Sequence, residues 1–468
     1  MTRRIVLVAP PYDHSPGPFA RLARFAEPPL GLIHLAATIR AADPDAAVEV
    51  LDAPAMGLSP AQTERNVVDR RPDVVGISTT TLTAPATRAL CRAIKRSAPR
   101  CAVIVGGSHP TALPADLLPD ADAAVIGEGE ETIAALVRGE RPEGIAGLAT
   151  WNGSAATVNP RRPLIPDLDA LPFPAYDLLP LDRYAYQYPF RTARGRYATI
   201  VTSRGCPGGC AFCAKSAAWG DRVRFHSVDR AVDDVERLSD RHGVTLLYFY
   251  DDTFLARRER ALELAERIAR ARRPLKWICQ GRADEVDDAI CAALARAGCV
   301  QIEIGIETGD PGILEAIGKR IDLDEVRAAY AAARRNGLQT KGNFLLGFPD
   351  ETPATIRRTV AVALEVNPTY TNFFHVVPVP GSRFFDLYRR NGWLITSDWG
   401  RFTYHGDALV SVPGVSAREL DRAKRRALAR FFLRPGKLVE LAGIFARSRD
   451  ARTVLRGLFT LLNGLLRR

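Results

Sequence analysis

At 468 residues with 47% hydrophobic content, the chain exceeds one typical domain and has apolar material for more than one core. No apolar run reaches the ~18–20 residues of a membrane span, no signal peptide precedes residue 5, and eight unevenly spaced cysteines exclude a disulfide framework, so a cytoplasmic protein is expected. The formal charge of +11 sits almost wholly at the end, where residues 416–468 carry fourteen Lys/Arg against four Asp/Glu; a nucleic-acid enzyme would spread that excess around a cleft, and no nucleic acid is expected.

Taken in order, Ile5 to Ala9 is a short apolar run ending in Pro10-Pro11 and reads as a buried parallel strand. Helical spacing follows over Leu30–Ala42, then strands at 48–51, 73–78, 102–105 and 123–126, with a helix over 84–97. Strands alternating with helices, each strand ending in a small-residue turn, predict a doubly wound α/β domain over residues 1–150. Ligands of such sheets bind beyond the carboxyl ends of the strands, which here carry Ser78, Thr79, Gly106, Gly107, Gly127 and Glu128. No G-x-G-x-x-G follows the first strand, which argues against a nicotinamide fold. This order, with the Glu27-Pro28-Pro29-Leu30-Gly31-Leu32-Ile33 entry into the first helix, resembles the cobalamin-binding domain found ahead of many radical S-adenosylmethionine (SAM) cores. The resemblance implies cobalamin over those six strand-end residues. Where cobalamin mutases carry Asp-x-His-x-x-Gly, this chain has Asp13-His14-Ser15-Pro16-Gly17, which implies cobalamin without a lower histidine ligand. His109 reads as a wall residue of its turn.

Residues 151–190 contain Pro160, Pro163, Pro166, Pro172, Pro174, Pro180 and Pro189, which preclude long helices and predict a linker lying over both neighbours. Strict alternation then resumes, with strands near 197–203, 244–250, 275–280, 300–306, 338–346 and 370–377 and helices near 228–241, 257–273, 284–297, 322–336 and 352–366. Six βα units predict a partial TIM-like (β/α)6 barrel over 191–385, with its chemistry at the C-terminal strand ends.

The loop after the first barrel strand holds Cys206, Cys210 and Cys213, spaced Cys-x3-Cys-x2-Cys among Gly205, Gly208 and Gly209. Electron-carrying clusters and structural zinc usually take four ligands, whereas three leave one metal position open. This spacing, with Phe212 before the third cysteine, resembles the signature of the radical SAM superfamily. The resemblance implies a 4Fe-4S cluster held by the three cysteines and S-adenosyl-L-methionine chelated at the open iron. It further implies SAM contacts at the other strand ends: Asp251 or Asp252 for the ammonium, Arg282 for the carboxylate with Gln280 at the same strand end, Glu307 for ribose, and Gly347 beside adenine. The other five cysteines read as buried core.

Residues 386–468 form a basic, helical C-terminal region, with apolar pairs at helical spacing from Val454 to Leu466. Such a stretch lies on an anionic membrane surface or covers the open barrel, which admits a peripheral place at the inner membrane face. The resemblance implies a cobalamin-dependent radical SAM enzyme that methylates an unactivated carbon of a lipid, tetrapyrrole or natural product. A cyclase using the same cofactors is the alternative, and a corrinoid or iron–sulfur carrier is a weaker third. A small-molecule or lipid substrate and an electron donor such as flavodoxin or ferredoxin are the implied partners.

Overall fold

The computed structural model describes residues 3–12, 26–188, 190, 195–271, 273–448, 454, 455, 457 and 459. The Asp13–Gly17 segment and most of the 454–466 amphipathic stretch lie outside them.

The first sheet has seven strands: β1 (Arg4–Ala9), β2 (Ala47–Asp52), β3 (Val74–Ser78), β4 (Ala102–Gly106), β5 (Ala123–Val125), β6 (Leu148–Trp151) and β7 (Ala156–Val158), in the order β2-β1-β3-β4-β5-β6-β7. The first five are parallel; β6 and β7 add an antiparallel extension that the sequence reading did not foresee, and it runs on into the expected linker. Alternation explains why the parallel strands are apolar throughout: Ile5 and Leu7 pack into one core, while Val6 and Val8 pack into a second on the opposite face. The helices Leu30–Ala42 and Glu130–Val137 cover the first face, and Pro60–Val68 and Ala84–Ser97 meet on the other. The order reverses between β1 and β3, the switch point where doubly wound sheets bind ligands.

The second sheet contains β8 (Arg196–Ile200), β11 (Val244–Phe249), β12 (Lys276–Gly281), β13 (Cys299–Glu307), β14 (Gln339–Leu346) and β15 (Tyr370–His375), all parallel in that sequence, so β8 and β15 are its free edges. A two-residue ribbon of β9 (Ser203–Arg204) and β10 (Arg224–Phe225) stands apart. The helices between these strands have the expected terminators; Gly243 takes a left-handed C-cap and Asp322 forms a capping box with Glu325.

Between the sheets, the proline-rich segment contributes aromatic side chains to the core. The Tyr184 hydroxyl donates to Asp52 in the first sheet (2.6 Å), whereas Tyr186 donates to Glu303 on β13 (2.5 Å) and Tyr188 to Asn372 on β15 (2.9 Å). Lys341 also pairs with Glu303 (3.0 Å) and lies over the Tyr186 and Tyr188 rings. This linker fills the interior of the half-barrel as well as lying over both sheets. One apolar core therefore runs from the first helix through the linker into the barrel.

Past residue 385 the chain is less regular than a helical region. The helix Arg383–Arg390 is followed by a stretch with one short turn at Trp399–Arg401, and then by the helices Ala417–Phe432 and Pro435–Arg447. Trp399 reaches back to the first domain, with its ring edge-on to His109 at 5.5 Å. Among the described residues no helix is long and apolar enough to cross a membrane.

Candidate active site

The cysteine loop is pinned where it leaves β8. One oxygen of Asp251 accepts from the Thr202 N–H and hydroxyl, both at 3.0 Å, and from the Ser203 hydroxyl. Asp251 is 1% exposed, and through this oxygen it anchors the root of the loop, while its other oxygen is buried with no hydrogen-bond partner among the described residues; burial pushes its carboxyl up. The β9–β10 ribbon closes the base of the excursion, and Gly205 at φ +101° passes so close to the Arg222 carbonyl that a Cβ would sit 2.5 Å from it.

Within the excursion Cys206, Cys210 and Cys213 are all half-buried free thiols. Gly208 leaves the space between them open: a Cβ there would lie 3.4 Å from Cys206 Sγ and 3.6 Å from Cys210 Sγ. Phe212 packs edge-on against Phe348, and the neighbouring Ala211 is held by backbone bonds to Ile317 (2.9 Å) and Phe384 (3.1 Å). Phe212 thus fastens the loop to the barrel rim. Burial pushes the Cys210 thiol up to about 11, opposed by the nearby Lys319 ammonium.

Several other expected residues do gather here. Arg282 Nη1 would lie 3.3 Å from a Gly208 Cβ, and the guanidinium is steadied by Asp284 (3.0 Å) and the Arg320 carbonyl (2.9 Å). Asp252 pairs with Lys215, two residues past Cys213. Glu307 ends β13 at φ +72°, a conformation that a non-glycine residue rarely adopts, and pairs with Lys319 at 2.8 Å. Gln280 donates to Tyr248 within the barrel at 2.8 Å. Gly347 does not gather with them: its N–H donates to Glu351 (3.0 Å), its carbonyl accepts from Tyr388 (2.6 Å), and a Cβ would meet Val410 and Leu420 at 3.0 and 3.1 Å. Close packing of the C-terminal region explains that glycine.

The first sheet presents a different surface. Thr80, Gly107 and Ser108 are exposed at the ends of β3 and β4, Ser78 is half-buried, and nothing lies within 4 Å of where a Gly127 Cβ would be. Thr79 is fully buried, its hydroxyl engaged with Thr87 (3.1 Å), and Gly106 accepts the Thr79 N–H. Gly107, at φ +107°, lets the β4 loop touch the β3 loop, since a Cβ would come within 2.6 Å of the Thr79 carbonyl. His109 is fully buried between Asp116 (3.0 Å) and Thr81 (3.3 Å).

Glu128 departs most from expectation. Its carboxylate accepts from Arg204 (2.8 Å), Arg224 (2.9 Å) and the Ile165 N–H (2.7 Å), while Glu130 accepts from Arg204 (2.6 Å). None of these four charged side chains is more than 9% exposed. Arg204 lies two residues before Cys206, so the Glu128 side chain ties the end of β5 to the root of the cysteine loop.

Tyr250 and Tyr404 line the space at the barrel rim, 46% and 49% exposed. Tyr404 stacks at a tilt on Phe374 and lies within electrostatic reach of Cys213 and Glu307, and Tyr250 within reach of Glu27 and Asp252.

Residues 200–363 match the radical SAM superfamily, and residues 20–137 match the B12 binding domain. An uncharacterized methyltransferase of Pyrococcus horikoshii is 32% identical over 93% of this chain and 94% of its own length. The chain belongs to the cobalamin-binding radical SAM family. The anaerobic magnesium-protoporphyrin IX monomethyl ester cyclase of Rubrivivax gelatinosus is 27% identical over 83% of this chain and 70% of its own. The fold is shared with the radical SAM methyltransferase TsrM of Kitasatospora setae, solved with cobalamin and a 4Fe-4S cluster (TM-score 0.68, 20% identity, 93% of this chain and 90% of that one). This family member is therefore an enzyme, and its cofactors are a 4Fe-4S cluster, SAM and cobalamin.

The residues fit these groups. Among the described residues no three His, Cys, Asp or Glu side chains close on a single metal ion, and three thiols serving different irons of one cluster stand further apart than three around one ion. The glycine- and hydroxyl-rich edge of the first sheet, with no bulky group over Gly127, admits a large flat ligand. Sequence reasoning missed Arg204, Arg224, Glu130, Lys319 and Tyr404. Only the Arg204-Gly205-Cys206 and Glu128-Gly129-Glu130 strings offered a signal, as charged residues inside otherwise small-residue turns.

Proposed function

We propose that this enzyme transfers a methyl group to an unactivated carbon of a small molecule, with lipids, tetrapyrroles and natural products as the substrate classes. The near full-length 32% identity to a methyltransferase is the observation that carries this reading. When bound, the cluster with SAM supplies a 5′-deoxyadenosyl radical for hydrogen abstraction, and cobalamin supplies the methyl group.

In this reading the domains divide at 1–150, 151–190, 191–385 and 386–468, and Cys206, Cys210 and Cys213 hold the cluster. Arg282 and Gln280 orient the SAM carboxylate, Asp252 its ammonium and Glu307 its ribose, each as a charge-assisted or bidentate hydrogen bond. Lys215 and Lys319 hold Asp252 and Glu307 in place by ion pairing until the ligand arrives. Ser78, Gly106, Gly107 and Gly127 bear on cobalamin. Tyr250 and Tyr404 form the substrate's walls, and flavodoxin or ferredoxin delivers the electron.

Anaerobic reconstitution with cobalamin, followed by mass spectrometry of cell extracts with and without the enzyme, tests it: the product should exceed its substrate by one CH2. A product of unchanged carbon count would favour the cyclase reading, which the likeness to the protoporphyrin ester cyclase supports. Alanine at Cys206, Cys210 and Cys213 should abolish cluster absorbance and 5′-deoxyadenosine formation together; a retained cluster would refute the ligand assignment.

A further inference from the structure

The helix Pro435–Arg447 is built the wrong way round for a helix that meets only water. Lys437 is 3% exposed and turns inward, donating to the Pro368 carbonyl (2.7 Å) and Glu440 (2.6 Å), whereas Leu438 and Val439 stand 48% and 73% exposed. Leu433, in the turn before it, is 57% exposed, and Arg434 beside it is drawn inward to Asn367 (2.8 Å) and Leu364 (3.2 Å). From Leu433 to Ala446 every exposed residue is apolar or glycine: Leu433, Pro435, Gly436, Leu438, Val439, Ala442 and Ala446. Soluble surfaces place lysine outward and leucine inward, and a continuous face with that preference reversed marks a site of contact.

The preceding helix, Ala417–Phe432, supplies the charge. Arg418, Arg422, Arg426 and Arg430 recur every fourth residue and are all exposed. Like charges at this spacing repel along a helix, and no described carboxylate lies in an ion pair with any of them; Arg422 bonds only the Arg418 carbonyl (3.3 Å). The two acids among them are engaged otherwise: Glu419 accepts from the Ser416 N–H and hydroxyl, and Asp421 from the Ala408 N–H (2.9 Å). Between this helix and Pro353–Val366 runs a groove of about 440 Å³ in which Arg357, Arg422, Arg426 and Arg430 surround Ile356 and Val360.

We propose that the surface formed by the helices Ala417–Phe432 and Pro435–Arg447 docks on an anionic phospholipid bilayer. The arginine stripe meets lipid phosphates, and Leu433, Leu438 and Val439 enter the boundary between headgroups and acyl chains. A partner layered with charge outside and hydrocarbon beneath matches this surface better than an acidic protein, which would answer the arginines and leave the leucines wet. The inference does not rest on the reaction catalysed, and its test needs no turnover.

The full chain is sedimented with phosphatidylcholine vesicles containing roughly a quarter phosphatidylglycerol and with pure phosphatidylcholine vesicles. Binding is expected to the anionic vesicles alone, falling on the order of tenfold in Arg426→Glu/Arg430→Glu and again in Leu438→Asp/Val439→Asp, and weakening as added salt shortens the screening length. Thermal melts check that each variant is folded, and Val439→Asp alone serves should the double change unfold the protein. Absent or equal binding to both vesicle types would overturn the proposal. So would loss of binding only when residues 449–468 are deleted, which would assign the contact to the tail, or retention by an acidic ferredoxin column of a chain that ignores vesicles, which would assign the surface to a protein.

Discussion

Arginine serves opposite ends in two regions of this molecule. Arg204 and Arg224 are sealed between the two sheets and face Glu128 and Glu130, so four buried charges cancel. Arg418, Arg422, Arg426 and Arg430 lie in water and face no carboxylate at ion-pair distance. A buried charge cannot be left without its counter-ion, because water no longer screens it; an exposed one can, because solvent carries the cost. The first set is therefore bound to geometry and positions the cysteine loop against the first domain. The second is available to a partner.

Breaking the buried set should give the largest effect. Arg204→Met leaves Glu130 with no cation and should cost about 3–5 kcal/mol in chemical denaturation, with early proteolysis between the two sheets. A loss below that of an ordinary surface change would mean that the junction is wet. Glu130→Gln is milder, since an amide oxygen still accepts from Arg204 and Glu128 keeps both arginines; about 1–3 kcal/mol is expected. A double-mutant cycle between the two positions should show strong coupling, and additive losses would argue that the 2.6 Å contact does not persist in solution.

Glu27 sharpens the contrast from within the same core. It receives the Tyr197 hydroxyl at 2.8 Å and forms no ion pair among the described residues, and burial, against the pull of Tyr197 and Lys341, lifts its carboxyl from 4.5 up to about 7. A group whose folded value lies above its unfolded value stabilises most at acid pH and loses that contribution as pH rises from about 4.5 to about 7. His226, lowered by burial to about 4 against the pull of Asp169, acts in the opposite sense: its contribution is present above 6.5 and is lost as pH falls toward 4. The two partly cancel where the windows overlap. Glu27→Gln should therefore lose melting temperature more steeply than the parent on acidification; an unchanged slope would show that Glu27 titrates normally. The smallest effect belongs to the exposed set, where Arg430→Met should shift stability by no more than about 0.5 kcal/mol while altering whatever contact that surface makes.

The six parallel strands and the helices between them could be read from the chain to within a few residues: the strand read over 197–203 ends at Ile200, and the helix read over 284–297 starts at Asp288. Helix 84–97 and the strands at 244 and 339 rest on local periodicity and on glycine or proline punctuation, which neighbouring residues express by themselves. The Cys206, Cys210 and Cys213 spacing was equally local. What escaped was long-range. Gly347 read as lying beside adenine from its place at a strand end, and nothing local showed that Val410 and Leu420 pack against it from more than sixty positions away in sequence. The residues 156–158 read as linker because a three-residue antiparallel edge has too few positions to show alternation.

Sequence alone determined the alternating architecture, the three-thiol loop and the basic end of the chain, because each is carried by residues close together. Only tertiary structure decided what the charges do. Glu128 meets Arg204 across 76 positions, Tyr186 meets Glu303 across 117, and Lys437 turns inward while Val439 faces out. The free energy of an ion depends on whether water or a counter-ion surrounds it, and that surrounding is assembled only when distant segments pack.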